Sequence, residues 1–521
     1  MEHRVLGTPQ PTHAITGKQS AFGRANGRGN SVHTERRLSA TRYATFALMA
    51  TAFALAVYAL PLTYVGHFSP AVVIVLSLTA IIVSTVITFS IATELFIIFW
   101  IALAMFQNFA VGIFLSDRAA IVPIYISESK TIAATVAILM MLPVALSNMK
   151  RFTHPLRWYA VYAVVVLGHV TSLGGATLPY LRNFLLPLAT LLLVVAMTAG
   201  WGEKRRLDLA SAIVRFGTVI LAVGTFCEML AGAQTWRTIL HADKNSALNS
   251  LSTVTNFFGW RIERTGGFLV EPTNAGYIAA ALIIIAVILV RSAGPQHRSG
   301  MYLCAVFCFW VLLMSGAKSG LLMLLIAATS AIAYSRAKSV WGGLTLGWIG
   351  ATVLVAAYVA AIKGPAAIAS AVSNPLSILG GDSTTYHFAG FIAGLKHAFT
   401  SILGGGIGVG GNFARIAGAT NSQWILTGGE SSWGVLAYQA GLLGIILFLA
   451  TIASLCKHLG IRSAILISAW SSSAMFAEAL FGPQVAGVIL VVAALLLSDS
   501  AVRSRHDNNV GAERLVQQEH G

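Results

Sequence analysis

Long apolar runs separated by short polar stretches dominate this chain. They fall at Tyr43 to Val65, Pro70 to Ser90, Leu95 to Leu115, Ile132 to Leu146, Trp158 to Leu173, Leu185 to Gly200 and Ile213 to Gly232. A second set follows at Ala275 to Val290, Met301 to Met314, Leu321 to Tyr334, Leu344 to Ile362, Trp433 to Leu455, Ile465 to Leu480 and Val485 to Leu497. A bilayer core about 30 Å thick needs roughly 20 apolar residues of helix. By that ruler the pattern predicts an all-α polytopic integral membrane protein with about fourteen transmembrane helices.

Composition agrees. Of the 521 residues 56% are hydrophobic and only 10% are charged, where soluble domains carry about 25% charged residues. A soluble enzyme is excluded, and so is a disordered chain. The 49 Gly show no three-residue period, which removes a collagen-like repeat. Cys227, Cys304, Cys308 and Cys456 lie in or beside apolar runs, with no C-x-x-C pair and no nearby His cluster. They read as small hydrophobes, and no metal site is expected.

A net charge of +16 would suggest nucleic acid as a partner in a soluble protein. Here the placement of the charges argues otherwise. Counted loop by loop, 22 of the 34 Lys and Arg fall on the side that holds the N-terminal arm, so both termini are expected in the cytoplasm and nucleic acid is not expected as a partner. The expected organisation is a basic arm (1–42), N-terminal spans (43–232), a first outer loop (233–274), central spans (275–362), a large periplasmic loop (363–432), C-terminal spans (433–497) and a cytoplasmic tail (498–521). The arm lacks the short apolar core and small-residue cleavage site of a signal peptide. It reads as a flexible tail that either orients insertion or lies on anionic lipid.

Polar chemistry concentrates on the predicted outer side. In the large loop Phe388, Phe391, Ile392, Leu395 and Phe399 recur at helical spacing, which predicts an amphipathic helix from His387 to Leu403 lying along the membrane. The glycine run Gly404 to Gly411 follows. It formally contains G-x-G-x-x-G, but no βαβ unit surrounds it and its side is wrong for a nucleotide. Its Gly406, Gly408 and Gly410 either approach an anionic ligand through exposed amides or form a flexible turn re-entering the membrane. Ser315 to Gly320 carries Lys318 at membrane depth, either as an anion ligand or snorkelling to the interface. Its S-x-x-K and Walker-like patterns are both incomplete.

In Arg261-Ile262-Glu263-Arg264, two arginines three apart can grip one phosphate-bearing group from the same side. Glu271, before Pro272, is either a helix-start stabiliser or a reactive carboxylate. Glu430 is either a capping residue of the helix at Trp433 or a base with a raised pKa. Glu228, Glu478 and Arg215 lie within spans and are what a proton-coupled transporter would use.

Taken in order, Arg264 to Asn274, Ser315 to Gly320, Gly404 to Gly411, Asn421 to Glu430 and Gln439 to Gly444 resemble the bacterial O-antigen ligase and O-antigen polymerase superfamily. The resemblance covers roughly Leu185 to Leu455. Thr420-Asn421 stands where many members have His-Asn, and Tyr386-His387 where an Arg often precedes the amphipathic helix. It implies a GT-C-type membrane fold in the bacterial inner membrane and a metal-independent, cofactor-free, inverting glycosyl transfer at the periplasmic face.

The implied donor is a glycan on undecaprenyl pyrophosphate; the acceptor is another lipid-linked glycan or lipid A core. On this reading Arg264, Arg261 and Lys318 hold the pyrophosphate, while Glu430, Glu271 and His387 are the candidates for the base. Gly406, Gly408, Gly410 and Asn421 line the substrate loop. A chain-length regulator and a flippase are candidate partners. The expected function is repeat-unit polymerisation for O-antigen or exopolysaccharide, with ligation to lipid A core the near alternative and lipid-linked oligosaccharide translocation the rival of another class.

Overall fold

The computed structural model of the chain describes residues 24–63, 69–114, 129–140, 153–173, 178–240, 254–257, 260–292, 295–337, 340–378, 383–411, 420–477, 479–482 and 484–497. The first half is built from α1 (Arg24–Thr63), α2 (Pro70–Ile91), α3 (Thr93–Phe114), α4 (Ser129–Met140), α5 (Thr153–Leu173), α6 (Leu178–Thr198), α7 (Glu203–Ala231) and the short α8 (Ala233–Ile239). A hairpin of β1 (Val254–Phe257) and β2 (Trp260–Glu263) interrupts the helices. Then come α9 (Pro272–Ser292), α10 (Pro295–Ser315), α11 (Lys318–Ala337), α12 (Val340–Lys363), α13 (Ala366–Ser373), α14 (Ser383–Thr400), α15 (Asn421–Leu426), α16 (Ser432–Leu459), α17 (Ile461–Ser473) and α18 (Val485–Leu495).

The protein is a helical, multi-pass membrane protein. Among the described residues ten helices are long and apolar enough to cross a membrane: α1 to α3, α6, α7, α9 to α12 and α16. About fourteen were expected. The last two expected spans are half-helices, since thirteen residues of α17 and eleven of α18 rise only about 20 and 16 Å. Both are buried in the bundle, and they meet inside it. The basic arm also differs from expectation, being helical from Arg24 as an extension of α1. The amphipathic helix expected from His387 is α14, with Phe388 buried and Phe399 70% exposed.

Irregular backbone at membrane depth requires that its polar groups find partners inside the protein. At the α17–α18 junction one serine does most of this. Ser432 Oγ donates to the Ala477 carbonyl at 2.8 Å and accepts from the amides of Ala479 and Leu480 at 2.9 and 3.1 Å. Trp470 Nε1 donates to Ala479 O, Tyr277 OH to Ser473 O, and Trp433 Nε1 to Ser471 O.

A second break lies in α16. Fifteen residues of straight helix would separate Trp433 and Phe448 by about 22 Å, yet their ring centroids are 5.6 Å apart. The chain folds back at Gly441, where φ is 66° and ψ −166°, values open to glycine. The break strips Tyr438 and Gln439 of their helical partners, and the glycine run replaces them. Gly405 N–H donates to Tyr438 O at 2.8 Å and Gly406 N–H to Gln439 O at 3.0 Å, while Leu443 N–H turns to Ile402 O.

Opposite ends of the bundle carry different chemistry. Arg205 and Glu228 sit at the two ends of α7, about 35 Å apart by helix rise. At the Arg205 end, buried Glu94 takes Arg42 and Arg205 at 3.3 and 2.7 Å, and Arg462 pairs with Glu203 at 2.5 Å. The Glu228 end holds the site described next.

Candidate functional site

The site begins where β2 ends. Thr265 N–H donates to Met314 O, and Arg264 Nε donates to Ser315 O at 2.9 Å, so the turn is hung on the end of α10. Arg264 Nη2 donates to Thr273 Oγ1 at 3.0 Å. Below it, Glu228 Oε2 accepts the amides of Gly266 and Gly267 at 2.8 and 2.7 Å. Only glycine fits there: a Cβ at Gly266 would overlap the Val270 carbonyl. After a 3₁₀ turn at Gly267–Leu269 the chain passes through Val270 with φ 65°. A β-branched residue in that region stores about 1–3 kcal/mol, and the strained turn delivers Glu271 to the head of α9.

Glu271 does not cap α9 through its side chain. Its carbonyl accepts from Ala275 N–H, and its carboxylate Oε2 instead accepts from Asn274 Nδ2 at 2.7 Å. Glu430 is likewise not a cap, because Ser431 Oγ takes the Gly434 amide at 3.0 Å. The Glu430 carboxylate faces His387 Nε2 on α14 at 3.5 Å. This contact depends on close packing of α14 against α16, since a Cβ on Gly390 or Gly394 would strike backbone at Gly428 or Gly434.

These groups act on one another. Burial pushes the Glu271 carboxyl up to about 7, the Glu430 charge pushes it the same way, and Arg264 opposes both. Burial lowers the pKa of Arg264, opposed by Glu271 and then Glu430. Arg264, Glu271, Glu430 and His387, drawn from three separate sequence segments, therefore form one constellation. It pairs a fixed cation with a carboxyl that exchanges its proton near neutrality.

Other expected site residues lie elsewhere or already have partners. Arg261 sits exposed in strand β2, paired in register with Asn256, while Arg264 lies in the turn that follows the strand. Lys318 opens α11, but its Nζ lies 3.4 Å from Tyr358 OH and 5.7 Å from that ring's centroid. The amides of Gly406 and Gly408 are committed to Gln439, the latter to Oε1 at 2.6 Å, and Gly410 O accepts from Gln439 Nε2 at 3.1 Å. Asn421 is exposed at the start of α15, beyond the Thr420 capping box.

The supports were read differently or not at all. Glu228, expected to serve a transporter, is bound to two amides of the Arg264 turn. Arg215 is exposed on α7, and Glu478 lies outside the described residues. Asn108 on α3 and Gln484 at the head of α18 were missed. Gln484 is a lone carboxamide beside an apolar run and Asn108 follows Gln107 within one, and polar groups so placed were the available signal.

Compared with known proteins, the chain matches no family model, no curated protein and no solved structure. The constellation is read on its own chemistry.

Proposed function

We propose that this protein polymerises polysaccharide repeat units, transferring a glycan from undecaprenyl pyrophosphate to a sugar hydroxyl at the periplasmic face of the inner membrane. The observation that carries the reading is the meeting of Arg264 with Glu271, whose carboxyl is raised to about 7, at one end of a membrane bundle. The acceptor oxygen attacks the anomeric carbon from the side opposite the pyrophosphate, and the bond from that carbon to the pyrophosphate oxygen breaks with inversion. Glu271, in its carboxylate form, takes the acceptor's proton. The Arg264 guanidinium is held through Nε and Nη2, and its Nη1, without a partner among the described residues, meets the charge developing on the departing pyrophosphate.

On the same reading Glu430 and His387 tune Glu271 or bind acceptor hydroxyls. The half-helices α17 and α18, with α4 and α5, complete a GT-C-like membrane domain beyond the ten long spans. That Glu228 serves the Arg264 turn supports catalysis over the translocation expected of membrane-embedded carboxylates.

The test is purified protein in detergent with an undecaprenyl pyrophosphate-linked repeat unit. We expect a ladder of longer glycans with one undecaprenyl pyrophosphate released per bond formed. No elongation with this donor would overturn the reading. Elongation that requires lipid A core as acceptor would make the protein a ligase.

A further inference from the structure

Beneath Glu271 lies an array of three carboxamides from three helices. Asn274 Nδ2 bonds Glu271 Oε2 at 2.7 Å and also reaches Gln484 Oε1 at 3.3 Å. Asn108 Nδ2 donates to the same Gln484 Oε1 at 3.2 Å and to the Leu269 carbonyl at 3.2 Å. Gln484 is 6% exposed, at the head of buried α18. Its oxygen therefore serves two donors, one tied to the Glu271 carboxylate and the other to the backbone two residues before it.

Two donors on one oxygen fix the orientation of the Gln484 amide. Its Nε2 is left buried with no hydrogen-bond partner among the described residues, an arrangement that is costly for a desolvated donor. Rotating the amide would set Nε2 against the Nδ2 donors of both asparagines, so it would gain no partner and Oε1 would lose two. The consequence reaches Glu271. With Gln484 Oε1 as acceptor, Asn274 must present its NH₂ to the carboxylate. Without it, the Asn274 amide can turn its oxygen toward Glu271, which favours the protonated acid.

We propose that Gln484 is a positioning residue for the acid–base step, acting through Asn274 to hold Glu271 in its proton-accepting form. The inference rests on Glu271 being the base of the reaction proposed above. The charges that act on Glu271 are Glu430 and Arg264, with His387 beyond Glu430 on α14 and Glu228 beneath the turn. From α3 and α18 the carboxamides of Asn108 and Gln484 reach Leu269 and Asn274 on either side of it.

The test reads the carboxyl directly. A hydrophobic carbodiimide modifies protonated carboxyls, and mass spectrometry of the full-length protein in detergent gives the labelling of Glu271 against pH. We expect the midpoint to rise by about one pH unit in Gln484→Met and in Asn274→Ala. The double variant should rise no further than Asn274→Ala alone. An unmoved midpoint in Gln484→Met, or shifts that add fully in the double variant, would overturn the proposal. If Gln484→Met is not monodisperse, Gln484→Asn, which shortens the amide, takes its place with the same expectations. Because labelling needs no substrate, a shift in a protein that fails to elongate glycan would reject the polymerase reading and keep the relay.

Discussion

Two glycine-bearing turns flank the site, and they use their backbone in opposite ways. The turn from Arg264 to Glu271 is pinned from below by the Glu228 carboxylate and leaves its charged side chains facing the site. The run from Gly404 to Gly411 commits the amides of Gly405, Gly406 and Gly408 to Tyr438 and Gln439, closing the wound that Gly441 opens in α16. By residue type alone the glycine run is the better anion cradle, yet the Arg264 turn has the charge. Backbone amides are paired in both turns, and an amide already paired cannot bind a phosphate, so what separates them is the guanidinium that only the Arg264 turn carries.

Substitutions in the two turns should therefore dissociate activity from stability. The largest effect is expected for Arg264→Ala, which should lower elongation by about 10²–10³-fold while insertion is kept and unfolding loses only the roughly 1–3 kcal/mol of the bonds to Ser315 and Thr273. Wild-type product length from that variant would remove Arg264 from the mechanism. Gly441→Val does the reverse. Its φ of 66° costs a β-branched residue at least about 1–2 kcal/mol, and its Cβ would strike the Ile402 carbonyl. We expect little monodisperse protein on gel filtration, and a wild-type melting curve would mean that the clasp at Gly441 is dispensable.

A pH profile sharpens the contrast further. With Glu271 raised to about 7, its base form is lost below that value, so elongation should fall about tenfold per pH unit on the acid side. A limb near 4.5 instead would point to an unperturbed carboxylate as the base. In the clasp, Gln439→Leu removes one acceptor and one donor and should cost about 1–3 kcal/mol in thermal unfolding, with KM for the donor unchanged. A large rise in KM would restore the glycine run as a phosphate site. The smallest effect is Val270→Gly, expected to steady the fold by up to about 1 kcal/mol by releasing the left-handed strain, while lowering kcat as Glu271 loosens. Unchanged kcat would show that the strain serves nothing at the site.

Much of the molecule was legible in its sequence. Runs of apolar residues follow directly from the solvent, and lipid imposes that demand locally along each segment, so a membrane bundle could be read without contacts. Arg264, Glu271, Glu430 and His387 were legible as individual candidates because charge beside a membrane is costly and scarce. The Gly390-x-x-x-Gly394 spacing was a further signal, marking the helix face that brings His387 to Glu430.

Tertiary structure alone decided the rest. The strand at Arg261 placed that residue in a hairpin where a loop was expected. The fold-back at Gly441 turned an expected ligand loop into a clasp, and two half-helices stood in for full spans so that Gln484 could reach Asn274. The physical reason is common to all three. Hydropathy is a property of a segment and its solvent, whereas the pairing of a carboxylate, an amide or a carbonyl depends on groups up to hundreds of residues away, which only packing brings within hydrogen-bond distance.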